Sequence, residues 1–320
     1  MAPLGSRPLS PLRGGLRPGL IRRGVAALIA TLLAFGATQS LPSLAAAKDN
    51  VATKPMSTAG IAGWRRVGTY DESSLTAGEG VATVTRPGHG SYELYRGIVT
   101  VPKGLAAEGW THIGDPDSVG GYVIDAYQGP SSGHSKMFLV TKPSGTTVQY
   151  VHRLVAGELY NNSFDAISPG AQWMVAGEWN TMSHLQVYPT PLLNRRTSPG
   201  GGTLRLSGYI KLDHKINDIQ GCDFTTKTTL ICASDDDTRT LFTNEKPLLE
   251  IELAHALRGS SVAGHVVDLG SILQRSVCTG TFEAEGVDYD VATGILRVEI
   301  IAPGKCVLTT KIYEYVRPRR

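Results

Sequence analysis

Polar side chains recur at matching places in three stretches of the chain, which begin 55 and 65 residues apart. Each stretch carries them at two positions: Ser163 and Asp165, Asp218 and Gln220, and Glu283 and Glu285. Alternate side chains of a strand point to the same side, so both positions of a stretch share a face. If the stretches surround an axis, carboxylates converging there repel one another unless a cation lies among them, and oxygen ligands of this kind suit calcium. The competing interpretation is that these residues face solvent or cap turns.

The elements that position these residues are short strands. From residue 63 onward, apolar alternations are repeatedly broken by Gly, Pro, Asn and Asp, which is typical of an all-β protein. A fourth, less regular copy of the repeat begins near Trp110. The repeat predicts a β-propeller, in which the innermost strand of each blade lines a central channel. At about 40–45 residues per blade, a single domain over 63–320 holds five or six blades; a β-sandwich is the alternative.

The ring of a propeller needs a segment that closes it. The stretch Tyr92 to Val101 is expected to do so by pairing in the last blade, which would cover an open sheet edge.

Two fragments resemble known propeller families. Asn217-Asp218-Ile219 looks like the Asn-Asp segment of the paraoxonases, and Glu285-Gly286 is similar to the Glu-Gly motif of the gluconolactonase family, although that motif lies in the first blade there and near the C-terminus here. Both families are six-bladed propellers that hold calcium or another divalent metal in the channel and hydrolyse lactones or esters. The resemblance implies that Asn217 and Glu285 are metal ligands, with Asp218 as a ligand or as support for the ligands.

Together, the register and the resemblance predict one cation site in the channel. Its members are Glu285, Asn217, Asp218 and Asp165, and the channel is further lined by Gln220, Ser163 and Glu283. Calcium or another divalent cation is the expected cofactor.

Hydrolysis at such a site would also need a base that activates water, while the metal polarises the carbonyl. The sequence does not identify this base. Among the histidines, His112 lies nearest to the channel-lining register of the copy that begins near Trp110, and it is the candidate.

Four cysteines in a chain expected to meet an oxidising compartment indicate two disulfides. Cys222 and Cys232 flank a polar turn like facing positions of a hairpin, which leaves Cys278 to pair with Cys306. A zinc site is the alternative, but the chain has no Cys-x-x-Cys pair.

The N-terminus has the pattern of a secretory signal. Five arginines precede an apolar run from Val25 to Ala37, and small residues at 43–47 supply a cleavage site. Residues 1–47 are therefore predicted to be a signal peptide and 48–62 a flexible lead-in. Removing a leader with five arginines and no acid takes the net charge from +3 to −2. A near-neutral domain without a basic stripe argues against nucleic acid, and no membrane span is expected after cleavage.

The sequence therefore predicts an exported, monomeric β-propeller that binds a small ligand or a divalent cation in its central channel. A metal-dependent lactonase or esterase is the second hypothesis, and a non-enzymatic cell-surface protein that binds an extracellular partner is the third.

Overall fold

A computed structural model describes residues 60–318, and strands dominate this part of the chain. One α-helix, α1 (Lys103–Ala107), and two 3-10 turns, Ile98–Thr100 and Gly304–Cys306, accompany twenty strands. The strands are β1 (Arg65–Ser73), β2 (Gly80–Arg86), β3 (Gly90–Arg96), β4 (His112–Ile113), β5 (Asp117–Val119), β6 (Tyr122–Gln128), β7 (Ser135–Thr141), β8 (Thr147–Arg153), β9 (Phe164–Ile167), β10 (Trp173–Gly177), β11 (Met182–Pro189), β12 (Gly202–Thr203), β13 (Gly208–Ile216), β14 (Ile219–Thr226), β15 (Thr229–Ser234), β16 (Pro247–Leu253), β17 (Val262–Ser271), β18 (Glu283–Asp290), β19 (Ile295–Ile301) and β20 (Thr309–Val316).

Five of these strands form a closed ring. β2, β5, β9, β14 and β18 each contact the next strand in this order, and β18 contacts β2. Each lies at the inner edge of a set of paired strands. Blade 1 is β2 and β3, blade 2 contains β4 to β8 with β12, blade 3 is β9, β10, β11 and β13, blade 4 is β14 to β17, and blade 5 is β18, β19, β20 and β1. The chain is therefore an all-β, five-bladed propeller, as predicted, rather than a sandwich. β17 also pairs in parallel with β13, which joins blades 3 and 4 into one sheet of eight strands.

A different segment from the predicted one closes the ring. β1 pairs antiparallel with β20, from Arg65 opposite Val316 to Ser73 opposite Thr309, and so supplies the outermost strand of the last blade. The prediction that Tyr92 to Val101 does this is wrong, because Gly90–Arg96 pairs with β2 instead. Only three residues separate β2 from β3, and closing so short a loop costs far less entropy than pairing with the other end of the chain.

Apolar side chains fill the spaces between neighbouring blades. One cluster, which includes Phe164, Val175 and Phe224, packs blade 3 against blade 4, and a second, which includes Ile231, Val287 and Tyr313, packs blade 4 against blade 5. Each fully buried side chain of this kind contributes about 2 kcal/mol. Two blades that meet this way hold their innermost strands at a fixed distance from the axis.

Both predicted disulfides are present. Cys222 and Cys232 are directly opposite on β14 and β15 and are buried in the core between blades 3 and 4. Cys278 and Cys306 join the segment before β18 to the 3-10 turn after β19.

The predicted signal peptide, 1–47, lies outside the described residues, as does most of the predicted lead-in. Of the lead-in, the structure describes 60–62, where Ile61 is buried in the core and the Ala62 N–H donates to the carbonyl of Leu269 at 2.7 Å. No helix in the described part of the chain is long and apolar enough to cross a membrane.

Candidate functional site at the channel mouth

Three aspartates at the axis accept hydrogen bonds from all five innermost strands. Innermost strands have one edge without a partner strand, so its N–H groups need other acceptors. Asp117 accepts the N–H groups of Ser118 and Ile167, both at 2.5 Å. The other members of this axial ring, Asp223 and Asp288, act in the same way: Asp223 accepts from Phe224 at 2.5 Å and from Tyr289 at 2.7 Å, and Asp288 accepts from Thr83 at 2.7 Å. Asp117 and Asp223 thereby each tie two neighbouring blades together.

One residue fills the axis beside this ring. The two carboxylate oxygens of Asp115 accept the N–H groups of Val81 in blade 1 at 2.9 Å and Val287 in blade 5 at 3.0 Å. Its backbone carbonyl accepts from Asp165 at 3.0 Å, and its own N–H donates to Ser163 at 2.8 Å. Asp115, which is fully buried, therefore contacts blades 1, 3 and 5 from blade 2.

Two glycines make room for Asp115 at the axis. A Cβ on Gly286 would lie 2.6 Å from Oδ1 of Asp115, and one on Gly221 would lie 2.7 Å from the Val287 nitrogen and closer still to Asp115. Real Cβ atoms do not approach so closely. Gly221 and Gly286, the second of which belongs to the Glu285-Gly286 fragment, thus have a packing role at the axis.

The same hydrogen bonds give one reference residue in each innermost strand. Four residues before the five N–H donors to the axial ring stand Glu79, Gly114, Ser163, Gln220 and Glu285. Six residues before the donors stand Ala77, His112, Asn161, Asp218 and Glu283. By this count Ser163, rather than the predicted Asp165, matches Gln220 and Glu285, but β14 and β18 have β-bulges in the counted stretch, at Ile219/Gly221 and Ala284/Val287, whereas β9 pairs with β10 without one.

We call the end of the channel where the innermost strands begin the mouth, and Glu79, Glu283 and Glu285 the mouth acids. Burial raises the pKa of Glu79 to about 8, and the charge of Glu283 adds to this shift. Burial, and then the charges of Glu283 and Glu79, raise the pKa of Glu285 well above its usual value. The pKa of Glu283 is raised by burial and lowered again by Lys246. Glu79, from blade 1, was not found from the sequence because blade 1 has no recognisable copy of the repeat.

The blade 4 residues lie beside these acids. Asp218 has a left-handed φ of 53° and accepts a hydrogen bond from Gln220 at 2.9 Å. Burial raises the pKa of Asp218 to about 6, although the Lys246 charge opposes the shift. Asn217 turns its amide oxygen to the Thr181 hydroxyl at 2.6 Å. The nearby Lys246 ammonium is already paired with Asp235 at 2.7 Å.

His112 stands on the opposite side of the mouth. Its Nε2 lies 3.3 Å from Oε2 of Glu79, and its ring meets that of Trp179 edge to face at 5.3 Å between centroids. Burial lowers the pKa of His112 to about 4, so the imidazole is neutral at pH 7. Trp179 was not singled out from the sequence, since nothing in its neighbours distinguishes it from a core aromatic.

Three of the four predicted cation ligands fall into two groups, and the fourth, Asn217, accepts a hydrogen bond from Thr181. Glu285 and Asp218 are at the mouth, and both feel the charge of Glu283. Asp165 lies deeper, and the largest charges acting on it are those of Asp117, Asp125, Asp115 and Asp223. Asp165 is fully buried, and neither of its carboxylate oxygens has a hydrogen-bond partner in the described structure. Among residues 60–318, no group of three or more His, Cys, Asp or Glu side chains is arranged to hold a metal ion.

Two cavities lie at the other end of the propeller, where β20 ends. Their volumes are about 410 and 790 Å³, and Arg317 and Pro318 line both. Arg317 stacks on Trp64 between them and is paired with Glu250. None of the mouth residues contributes to either cavity.

No family model matches the chain, and no curated protein matches it. Similar solved structures include a gluconolactonase from Xanthomonas campestris (11% identity, 64% of this chain and 57% of that one, TM-score 0.34). They also include the Malassezia sympodialis allergen Mala s 1 (8%, 72% and 64%, 0.40) and the Myceliophteria thermophila Cps50 (Swd1) β-propeller domain (6%, 56% and 45%, 0.30). The chain thus spans less than two thirds of each of these proteins, and its assignment as a propeller rests on its own ring of five innermost strands.

Proposed function

We propose that this protein is an exported β-propeller that binds a positively charged ligand at the channel mouth, either a divalent cation such as calcium or the cationic group of a small molecule. The observation that carries the proposal is the state of Glu285. Its side chain is only 6% exposed, yet its carboxylate accepts no hydrogen bond from any described residue. Burial of the residue disfavours the ionised form of this carboxylate, and a bound cation would stabilise that form.

The surrounding charges favour the same ligand. The mouth acids come from blades 1 and 5, and Asp218 of blade 4 joins them, while the nearby cation Lys246 is held by Asp235. A bound cation stabilises the ionised carboxylates and lowers their pKa values. Since the pKa of Glu79 is about 8 in the free protein, binding at pH 7 should release protons.

The donor atoms decide between classes of cation. Carboxylate oxygens are the ligands that calcium prefers, at about 2.3–2.6 Å. Calcium would have to draw the mouth acids together, because no three-donor group is formed among the described residues. An organic ammonium needs no such convergence, and Trp179 beside His112 offers it an aromatic surface.

Export fits the covalent structure. The two disulfides are typical of oxidising compartments, and the leader pattern at 1–47 points to secretion into such a compartment.

The test is calorimetric titration of calcium, and separately of a tetraalkylammonium ion, into the purified protein at pH 7 in two buffers of different ionisation enthalpy. We expect saturable binding of one of them, with proton release revealed by the difference between buffers. A ligand at 100 times its Kd should stabilise the fold by about 2.7 kcal/mol. Glu285→Gln should abolish most of this shift, whereas the matched Glu252→Gln, on the exposed surface of blade 4, should leave it intact. Equal melting temperatures with each ion and with chelator would contradict the proposal.

A metal-dependent lactonase or esterase is the second candidate, and His112 is the observation that favours it. A neutral imidazole 3.3 Å from Glu79 at the mouth can accept a proton from water. A bound metal would polarise the carbonyl of the substrate. Turnover of a γ-lactone that requires calcium and is lost in His112→Asn would support this activity, and absence of turnover with bound calcium would remove it while leaving the binding proposal in place.

A further inference from the structure

Exposed apolar side chains lie on the face of the propeller that carries the mouth. They stand on the connections at this end of blades 1 and 5, and between 41% and 60% of each is exposed. We call them the apolar ridge: Leu75, Ile98, Val99, Val307 and Leu308. A run of exposed apolar side chains rimmed by charge is typical of an interaction surface.

Backbone hydrogen bonds show that the ridge is continuous. The Val99 N–H donates to the carbonyl of Leu75 at 3.1 Å, which places the 3-10 turn after β3 against the connection from β1 to β2. The Ser74 N–H donates to the carbonyl of Leu308, also at 3.1 Å. Leu75 therefore lies between Val99 on one side and Leu308 on the other.

The ridge borders the mouth on both sides. The Glu79 N–H donates to the carbonyl of Arg96 at 3.0 Å, two residues before Ile98. Leu308 immediately precedes β20, and Glu283 begins β18, with β19 between these strands. At a strand spacing of about 4.8 Å, Leu308 stands about 10 Å from the strand of Glu283.

The mouth adds an independent indication of a ligand. Glu285 is 6% exposed, its carboxylate accepts no hydrogen bond from a described residue, and burial together with Glu283 and Glu79 disfavours its ionised form. The surface thus combines a row of apolar side chains with a mostly buried carboxylate that a positive charge would stabilise.

We infer that the ridge and the mouth together bind an extended peptide segment of another protein, in which a lysine or arginine lies about three positions from two apolar residues. An extended chain advances about 3.3 Å per residue, so three positions match the separation of about 10 Å between Leu308 and β18, the strand that carries Glu283 and Glu285. The apolar side chains lie on the ridge, and the basic side chain reaches Glu285. The inference rests on the mouth being the binding site proposed above, and it names the partner.

Charge separates this partner from others. An acidic segment, or the anionic surface of a membrane, would disfavour ionisation of the mouth acids and offer no charge to pair with them. A neutral apolar segment would bind the ridge alone and leave Glu285 without a partner.

The probe is a synthetic peptide of about eight residues that carries two adjacent leucines and a lysine three positions further on, labelled for fluorescence anisotropy. Its variants replace the lysine by glutamine or glutamate, or both leucines by serine. Protein variants are Val99→Ser and Leu308→Ser on the ridge and Glu285→Gln at the mouth. The control is Val291→Ser, since Val291 is 74% exposed at the other end of blade 5.

We expect the ridge variants and Glu285→Gln each to weaken binding at least fivefold, and Val291→Ser to leave it unchanged. Glutamine in place of the lysine should weaken binding only to the wild type and not further to Glu285→Gln. Equal affinity for the lysine and glutamate peptides, equal affinity of all protein variants, or binding to anionic vesicles in place of the peptide would each overturn the inference. If the cation titration succeeds and the peptide does not bind, the ligand site stands and the peptide partner is wrong.

Discussion

Asp288, in the innermost strand of blade 5, accepts two hydrogen bonds from Thr83 of blade 1: one from the backbone N–H at 2.7 Å and one from the hydroxyl at 2.6 Å. The same carboxylate accepts from the Arg297 guanidinium at 2.9 Å. These contacts join the first innermost strand to the last at the axis, while β1 joins the two ends of the chain at the periphery. The ring is therefore closed twice, at its centre and at its edge.

Asp288→Asn tests the central closure. The amide keeps one acceptor oxygen but removes the negative charge opposite the buried Arg297, which retains Glu93 at 2.9 Å and Glu314 at 3.5 Å. Breaking a buried ion pair costs about 3–5 kcal/mol, and the two remaining partners should reduce the loss to about 2–3 kcal/mol. Urea denaturation measures this loss. The matched Glu93→Gln removes the more exposed partner and should cost less than 1 kcal/mol; equal losses for the two variants would show that Asp288 has no special role in closure.

The repeat was visible in the sequence where each copy begins with a polar residue and continues into an apolar strand, as at Ser163, Asp218 and Glu283. These copies are blades 3, 4 and 5, and the segment after Trp110 is blade 2. Blade 1 could not be recognised, because it has only two strands and its hairpin resembles any other. The register within the first copy was also beyond the sequence, since it depends on which N–H groups meet Asp117 and Asp223, and these contacts cross between blades.

Part of the mouth was predictable, because the sequence pattern shows where several innermost strands begin. Glu283, Glu285, Asp218 and His112 are placed by strand starts that the pattern reveals. Asp115 was not, because its role at the axis depends on an isolated bridge to Phe164 that carries it out of its own blade. A sequence pattern indicates which side of a strand a residue faces, but it does not indicate whether a loop residue such as Asp115 extends into a neighbouring blade.

The mouth acids predict an unusual dependence of stability on pH. The pKa of Glu79 is about 8 in the folded protein and about 4.3 when unfolded, so between these values the folded state holds a proton that the unfolded state has lost. Stability should therefore fall as pH rises from about 4 to 8, by at most about 1.4 kcal/mol per pH unit for each such group. Urea denaturation from pH 5 to 8 should show this fall, and Glu79→Gln should make it shallower. A stability that rises over this range in both proteins would contradict the assignment.

Asp165 and Asp117 should respond oppositely to the same substitution. Neither oxygen of Asp165 has a partner, and burial raises its pKa, so Asp165→Asn removes a charge that the fold disfavours. We expect Asp165→Asn to be as stable as the wild type near pH 5 and more stable near pH 9. Asp117 accepts two N–H groups through its two oxygens, and an amide can satisfy only one of them.

Asp117→Asn should therefore cost about 1–3 kcal/mol at neutral pH. Thermal unfolding of both variants across pH 5 to 9 makes the comparison. If Asp165→Asn is the more destabilising of the two, Asp165 has a partner, such as a bound cation, that the substitution removes.

The close packing around Asp115 at the axis predicts that blade 4 has no room for an added methyl group at Gly221. A Cβ on Gly221 would lie 2.7 Å from the Val287 nitrogen and 2.8 Å from the Gly286 Cα, both backbone atoms that cannot rotate away. Gly221→Ala should therefore push blade 4 away from the axis and disturb the hydrogen bond from Val287 to Asp115. Overpacking of this kind costs about 1–3 kcal/mol, and the disturbed acceptor adds to it, so we expect a loss of at least about 3 kcal/mol in urea denaturation.

Gly104→Ala is the matched control for this substitution. Gly104 lies in α1, where an added Cβ meets nothing within 4 Å and φ is not positive. Alanine there should stabilise the protein slightly, by up to about 1 kcal/mol. The two variants add the same methyl group, so the difference between them isolates the crowding at the axis. If Gly221→Ala folds as stably as Gly104→Ala, blade 4 can move outward at no cost, and Asp115 does not fix the innermost strands around it.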